Sequence, residues 1–154
     1  MGPNPTDRAK GGTKRSLLTD GYGVPLGLAI DGANRHDLKL LAPTVVSIPV
    51  RRPKPTPRCP QGLCLDKGYD YDEARDLARA FGYTSHIRVR GEEAKKTRRH
   101  LRSKARRWVV ERTHSWMNRF RRVLVRWEKR VQNYVGMLHL TCALITLRSA
   151  EVLG

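Results

Sequence analysis

The order of strand-like and helix-like segments in this chain predicts an α/β layer protein, a sheet with helices packed on it. Three observations carry that expectation. Two short apolar runs are joined by Asp20-Gly21-Tyr22-Gly23, which reads as a β-hairpin. The run Leu63-Cys64-Leu65 is followed by a stretch of helical period and then by an alternating one, a strand–helix–strand pattern. The last third of the chain places apolar residues at helical spacing in two successive segments. At 154 residues the chain fits one domain with a real core.

The elements follow in order. Residues 1–15, "MGPNPTDRAKGGTKR", are rich in Gly, Pro and charge and read as a flexible lead-in, leaving residues 16–154 as the domain. "KRSLLTD" and "VPLGLAI" form the hairpin. In "NRHDLKLLAPTVVSI", Asp37 or His36 opens a short helix with Leu38, Leu41 and Val45 on its apolar side. Residues 49–60, with five prolines and four cations, are a loop. "GLCLD" is a buried-type strand ending in Asp66. "YDEARDLARAFG" is a helix with Asp72 near its start and Gly82 as its stop. "YTSHIRV" alternates as a strand does. A polar, basic connector leads into a long helix over about 103–120. Val109, Thr113, Trp116, Phe120 and Val123 recur there at spacings of four and three. A last helix covers about 134–151. The order is β-β-α-β-α-β-α-α.

Charge bounds the partner. The chain holds 31 Lys and Arg against 14 Asp and Glu, a net charge of +17, and 17 of those cations lie between Arg88 and Arg130. A one-signed, localised stripe is the footprint of a phosphate-backbone binder. No apolar run approaches the roughly 20 residues that span a bilayer. Three cysteines without a CxxC pair argue against a zinc site and for reduced thiols, which favours the cytoplasm.

Against that background two acids stand out. Five of the 14 acids fall within the eleven residues 66–76, and the first of them, Asp66, ends an apolar run. Asp66 followed by Lys-Gly is commonly a turn residue. It also stands at the carboxyl end of a strand, where open α/β sheets gather ligands. On the long helix, at 100° per residue, Glu111 lies opposite the apolar stripe, together with Arg107, His114, Asn118 and Arg122. A surface Glu pairing Arg107 or Ser115 would explain it. Two carboxylates in a strongly basic protein suggest another arrangement, in which acids hold divalent metal at a phosphodiester and cations hold the nucleic acid.

"LDKGYD" around Asp66 and "RWVVERTHSWMNRFRRVLVRWEK" around Glu111, 45 positions apart and in that order, resemble the DDE (Asp-Asp-Glu) transposases of bacterial insertion sequences. The group they resemble is the one named after insertion sequence five. "GGTKRSLLTDGYGVPLGLAIDGANRHD" is similar to the strand pair that precedes these motifs in that group. The resemblance runs over nearly the whole chain.

It implies an RNase H-like (retroviral integrase-like) fold, a mixed sheet flanked by helices. Asp66 would be the second catalytic Asp and Glu111 the catalytic Glu, both ligands of two Mg²⁺ (or Mn²⁺) ions. The substrates would be the DNA of element ends and target, with a homo-oligomer in the active complex. Related groups place a Tyr seven positions before the Glu, an Arg four before it and a Lys seven after it. Arg107 and Glu111 match, while Lys104 stands at the Tyr position and Asn118 at the Lys position. Arg107, Asn118 and Arg122 are the expected DNA contacts.

The family's first strand, with its Asp, is expected upstream of "GGTK". This sequence is expected not to include it: Asp7 lies in the lead-in, and Asp20 and Asp31 read as turn residues. The expectation is a C-terminal portion, a truncated or second-frame product that the upstream-frame product could complete. Two other readings remain open: an inactive DNA-binding remnant or regulator, and a basic RNA-binding module stacking bases on Trp108, Trp116, Trp127 and Tyr134.

Overall fold

Asp20 sets the hairpin. Its carboxylate accepts from the backbone N–H of Tyr22 at 2.8 Å and of Val24 at 2.9 Å, and Gly23 takes a φ of +89°, open to glycine without strain. The turn joins β2 (Gly11–Thr19) to β3 (Pro25–Gly32), antiparallel, with Leu17 opposite Leu28 and Arg15 opposite Ile30. A two-residue strand, β1 (Gly2–Pro3), pairs with Gly11 and Gly12. Strand β2 starts earlier than its apolar residues suggest, inside the stretch expected as a lead-in. The partners that extend it, β1 and the N–H of Ala33 donating to Gly12, are backbone groups that leave no side-chain pattern. The computed structural model describes residues 1–4, 8, 11–87 and 107–151. Asp7, the connector over 90–106 and residues 88 and 89 of the expected strand lie outside those residues.

Successive residues of a strand point to opposite faces. Leu17, Leu28 and Ile30 join one core, with Met117, Val123, Tyr134, Leu138 and Ile145. Leu18 joins another, with Leu41, Val45, Leu63, Ala74 and Ala78. The β2–β3 ribbon is thus a middle layer.

On the Leu18 face lies α1 (Leu38–Val46). Thr44 donates to Ser16 Oγ at 2.8 Å, and Ser47 Oγ accepts from the N–H of Leu28 at 2.7 Å. The helix comes so near that a Cβ on Gly27 would overlap the Thr44 carbonyl oxygen. Asp37 precedes the helix without capping it through its side chain; its carboxylate pairs Lys14 at 3.1 Å instead. His36 Nδ1 accepts from the N–H of Leu38, at 3.3 Å.

The second core also takes in β4 (Gly62–Leu65), α2 (Asp72–Ala80) and Tyr83, which leads into β5 (Thr84–Ile87). β4 and β5 pair in parallel, with Leu65 opposite Ile87, as a helical crossover requires. α2 stops at Gly82, whose φ is +76°. Acids before and within it are tied locally: Asp70 to Arg75 at 2.5 Å and Asp76 to Arg79 at 2.7 Å.

On the Leu17 face lie α3 (Arg107–Asn118), α4 (Arg121–Leu124) and α5 (Val131–Ser149). Val109 and Thr113 are buried, as the stripe predicts, while Trp116 and Phe120 are half-buried and Met117, outside the stripe, is fully enclosed. The stripe does not run on as one helix. Phe120 adopts an extended backbone, and Val123 reaches the same core from the separate turn α4. In α5, Tyr134, Leu138, Thr141 and Ile145 are buried at spacings of four, three and four.

Among the described residues the strands form two sheets, β1–β2–β3 antiparallel and β4–β5 parallel, so the architecture is mixed α/β in layers. No described helix is long and apolar enough to cross a membrane.

Candidate active site and nucleic-acid face

Asp66 follows the last residue of β4 and opens the 3₁₀ turn Lys67–Tyr69. Its Oδ1 accepts from the N–H of Lys67 at 2.6 Å, and its carbonyl accepts from the N–H of Tyr69 at 2.9 Å. The carboxylate is exposed at the carboxyl end of the parallel pair, one residue beyond the Leu65–Ile87 pairing. The turn role and the strand-end role therefore coincide.

Tyr69 locks this turn against its surroundings. Its hydroxyl lies 3.4 Å from the Asp37 carbonyl and bonds the Ser16 side chain on β2. Burial pushes its pKa up to about 12. The nearby charge of Asp37, and in smaller part that of Asp66, acts in the same direction. Asp66 is thus keyed to the middle of β2.

Glu111 is exposed on α3. Thr113 and Arg112 hold that helix to the hairpin turn: Thr113 Oγ1 donates to the Gly23 carbonyl at 2.7 Å, and Arg112 donates to the Tyr22 carbonyl. The Arg112 guanidinium also lies 4.7 Å from the ring centre of Trp108 and 4.8 Å from that of Trp116, a cation between two indoles one turn apart on either side. The far end of α3 is held by Arg15 of β2, whose Nη2 donates to Asn118 Oδ1 at 2.9 Å. Hence α3 runs back along β2, and Glu111 is referred to the same strand as Asp66.

The polar side of α3 is not wholly a solvent face. His114 is drawn below its ordinary value by burial and by the charge of Arg15. Asn118 is half-buried against β2. Arg122 falls on α4 rather than on a continuation of α3, is exposed, and lies 3.3 Å from Glu128. Arg107 stands at the first residue of α3.

Asp20 is a turn residue, as expected; Asp31 instead lies within β3, opposite Lys14, where it accepts from the N–H of Gly32 at 2.7 Å and lies 3.6 Å from Arg35. Of the aromatics that could stack bases, Tyr134 is buried and Trp116 packs on the core, while Trp108 and Trp127 are exposed. The contribution that sequence reasoning missed is that of Arg15. A lone Arg in a strand gives no signal until the helix crosses it.

Asp66 and Glu111 supply hard oxygen ligands of the type Mg²⁺ takes. Two such side chains are not a closed set, and among the described residues no group of three His, Cys, Asp or Glu converges on one point.

A layered α/β domain with a carboxylate at a strand end and another on a cation-rich helix is compatible with the class of enzymes that work on nucleic-acid phosphodiesters. The particular family follows from comparison. The model of the transposase DDE domain matches residues 2–146, and the chain belongs to that family. A candidate transposase for insertion sequence element IS402, from Burkholderia cepacia, is 40% identical over 157 residues, covering 97% of this chain and 71% of the relative. No solved structure matches the chain. The protein is a transposase of the insertion-sequence type, an enzyme of DNA recombination.

Proposed function

We propose that the domain completes an RNase H-like fold in the cytoplasm and that Asp66 and Glu111 are two of the three carboxylates of its active centre. The third would come from outside the described residues. What supports this reading most is the position of Asp66 at the carboxyl end of β4, keyed through Tyr69 to the strand along which α3 carries Glu111. Bound Mg²⁺ or Mn²⁺ would supply the activation of water, and later of a 3′-hydroxyl, for in-line displacement at phosphorus. This chain's own residues hold ligands at fixed places and hold DNA: Arg107 and Arg122 contact phosphates, and Asn118 lies on the same side of α3. The substrates are element ends and target DNA, brought together by an oligomer of the transposase.

Titration of the chain with Mn²⁺ tests the carboxylate assignment, with Asp66→Asn and Glu111→Gln as comparisons. Each change is expected to weaken binding at least tenfold while the circular dichroism spectrum stays unchanged. Equal Mn²⁺ affinity in all three proteins would overturn it.

A further inference from the structure

The segment that joins β3 to α1 presents basic side chains to an open cavity. Arg35, His36 and Lys39 line it together with Asp31, Asn34 and residues 1–3, around a volume of about 500 Å³. All three basic residues are exposed, so a ligand from solvent reaches them. The acids of the segment leave them available. Asp37 is turned to Lys14, at 3.1 Å. Asp31 lies 3.6 Å from Arg35, beyond hydrogen-bond reach, so it steers the guanidinium without occupying its N–H groups. Among the described residues no carboxylate stands beside Lys39, whereas Arg75, Arg79 and Arg122 each have one. His36 Nδ1 accepts from the N–H of Leu38, which leaves Nε2 to carry the ring proton and donate. A concave, polar site with two permanent cations and one acid suits an anion.

The place of the cavity says which anion. The turn opened by Asp66 is braced on this segment: the Tyr69 hydroxyl lies 3.4 Å from the Asp37 carbonyl, and the Tyr71 ring meets the His36 ring edge-on, 5.6 Å between centres. We propose that Arg35 and Lys39, with His36, bind a backbone phosphate of the DNA whose scissile phosphodiester lies at Asp66. The inference rests on the DNA-transposase reading. α1 and α3 lie on opposite faces of the β2–β3 ribbon, so this site is additional to the contacts of Arg107 and Arg122. The two cations serve differently: the planar fork of Arg35 takes two phosphate oxygens, and Lys39 adds a point charge.

The test is binding of a fluorescent duplex oligonucleotide to the full chain between about 50 and 200 mM salt. Each phosphate contact contributes about 0.9 to the slope of log affinity against log salt. Arg35→Gln combined with Lys39→Gln is expected to lower that slope by about 0.9, and Arg35→Lys alone to keep it. Arg79→Gln, an exposed cation on α2, is the control for a general effect of charge and is expected to change nothing. Folding is checked by circular dichroism. Should the double variant unfold, Lys39→Gln alone carries the test, and its slope is expected below that of the unaltered chain. An unchanged slope in the folded variant, or a fall no larger than that of Arg79→Gln, would overturn the inference while leaving the DNA reading standing. Failure of the unaltered chain to bind DNA would overturn both.

Discussion

Thr113 reaches from α3 to the hairpin turn and donates to the carbonyl of Gly23 at 2.7 Å, with the Thr113 side chain fully enclosed. This bond joins the helix of Glu111 to residues some ninety positions earlier. Thr113→Val keeps the volume and removes the donor, so an enclosed carbonyl loses its partner. The expected cost is about 1–3 kcal/mol, read by urea unfolding. Gly23→Ala should also destabilise the chain, since its Cβ would stand 2.9 Å from Thr113 Oγ1 at a φ of +89°.

Gly27 allows α1 to lie on β3. A methyl group there meets the backbone oxygen of Thr44, which cannot swing aside as a side chain could. Gly27→Ala is expected to cost about 1–3 kcal/mol. The contact of Ser47 Oγ with the N–H of Leu28 should loosen with it, visible as faster hydrogen exchange at Leu28.

Tyr69 gives stability a limit on the alkaline side. Its folded-state pKa, about 12, lies above the ordinary 10.0, so folding favours the protonated phenol. That contribution is complete below pH 10 and is lost as pH rises through about 12. His114 acts with the opposite sign. Its pKa is lowered, so folding favours the neutral ring, and stability falls as pH drops below 6.5 toward the folded value. Denaturant midpoints measured across pH should decline at both ends, and Tyr69→Phe should flatten the alkaline decline alone.

In a DNA-nicking assay on the assembled transposase, Asp66→Asn and Glu111→Gln should each lower the rate by at least a hundredfold while DNA binding persists. A loss of binding in step with the loss of nicking would count against ligand roles for these acids. Cys64→Ser, two residues from Asp66 and exposed, should leave the rate unchanged.

Local pattern made most of the elements legible. The Asp20-Gly21-Tyr22-Gly23 turn marks the hairpin, and Val109 and Thr113 mark the buried side of α3. Asp66 was legible because an acid at the end of an apolar run is unusual. What escaped depends on contacts across the chain. The separate turn α4 follows from the extended backbone at Phe120, which helical spacing does not reveal. Asp37 looked like a cap because it precedes a helix, but Lys14 competes for its carboxylate. Arg15 gained its place at α3 from the packing of two elements over a hundred residues apart in sequence.

The segregation of acids in the segment after β4 gives the molecule an electrical orientation. Residues 66–79 carry five acids and three cations, whereas residues 107–130 carry eight cations and two acids. The first set packs with the Leu18 core and the second with the Leu17 core, on opposite faces of the β2–β3 ribbon. The charge balance of these two segments therefore differs in sign across that ribbon. A polyanion's field draws the basic segment toward it during approach, with α3 and α4 leading, before any contact forms.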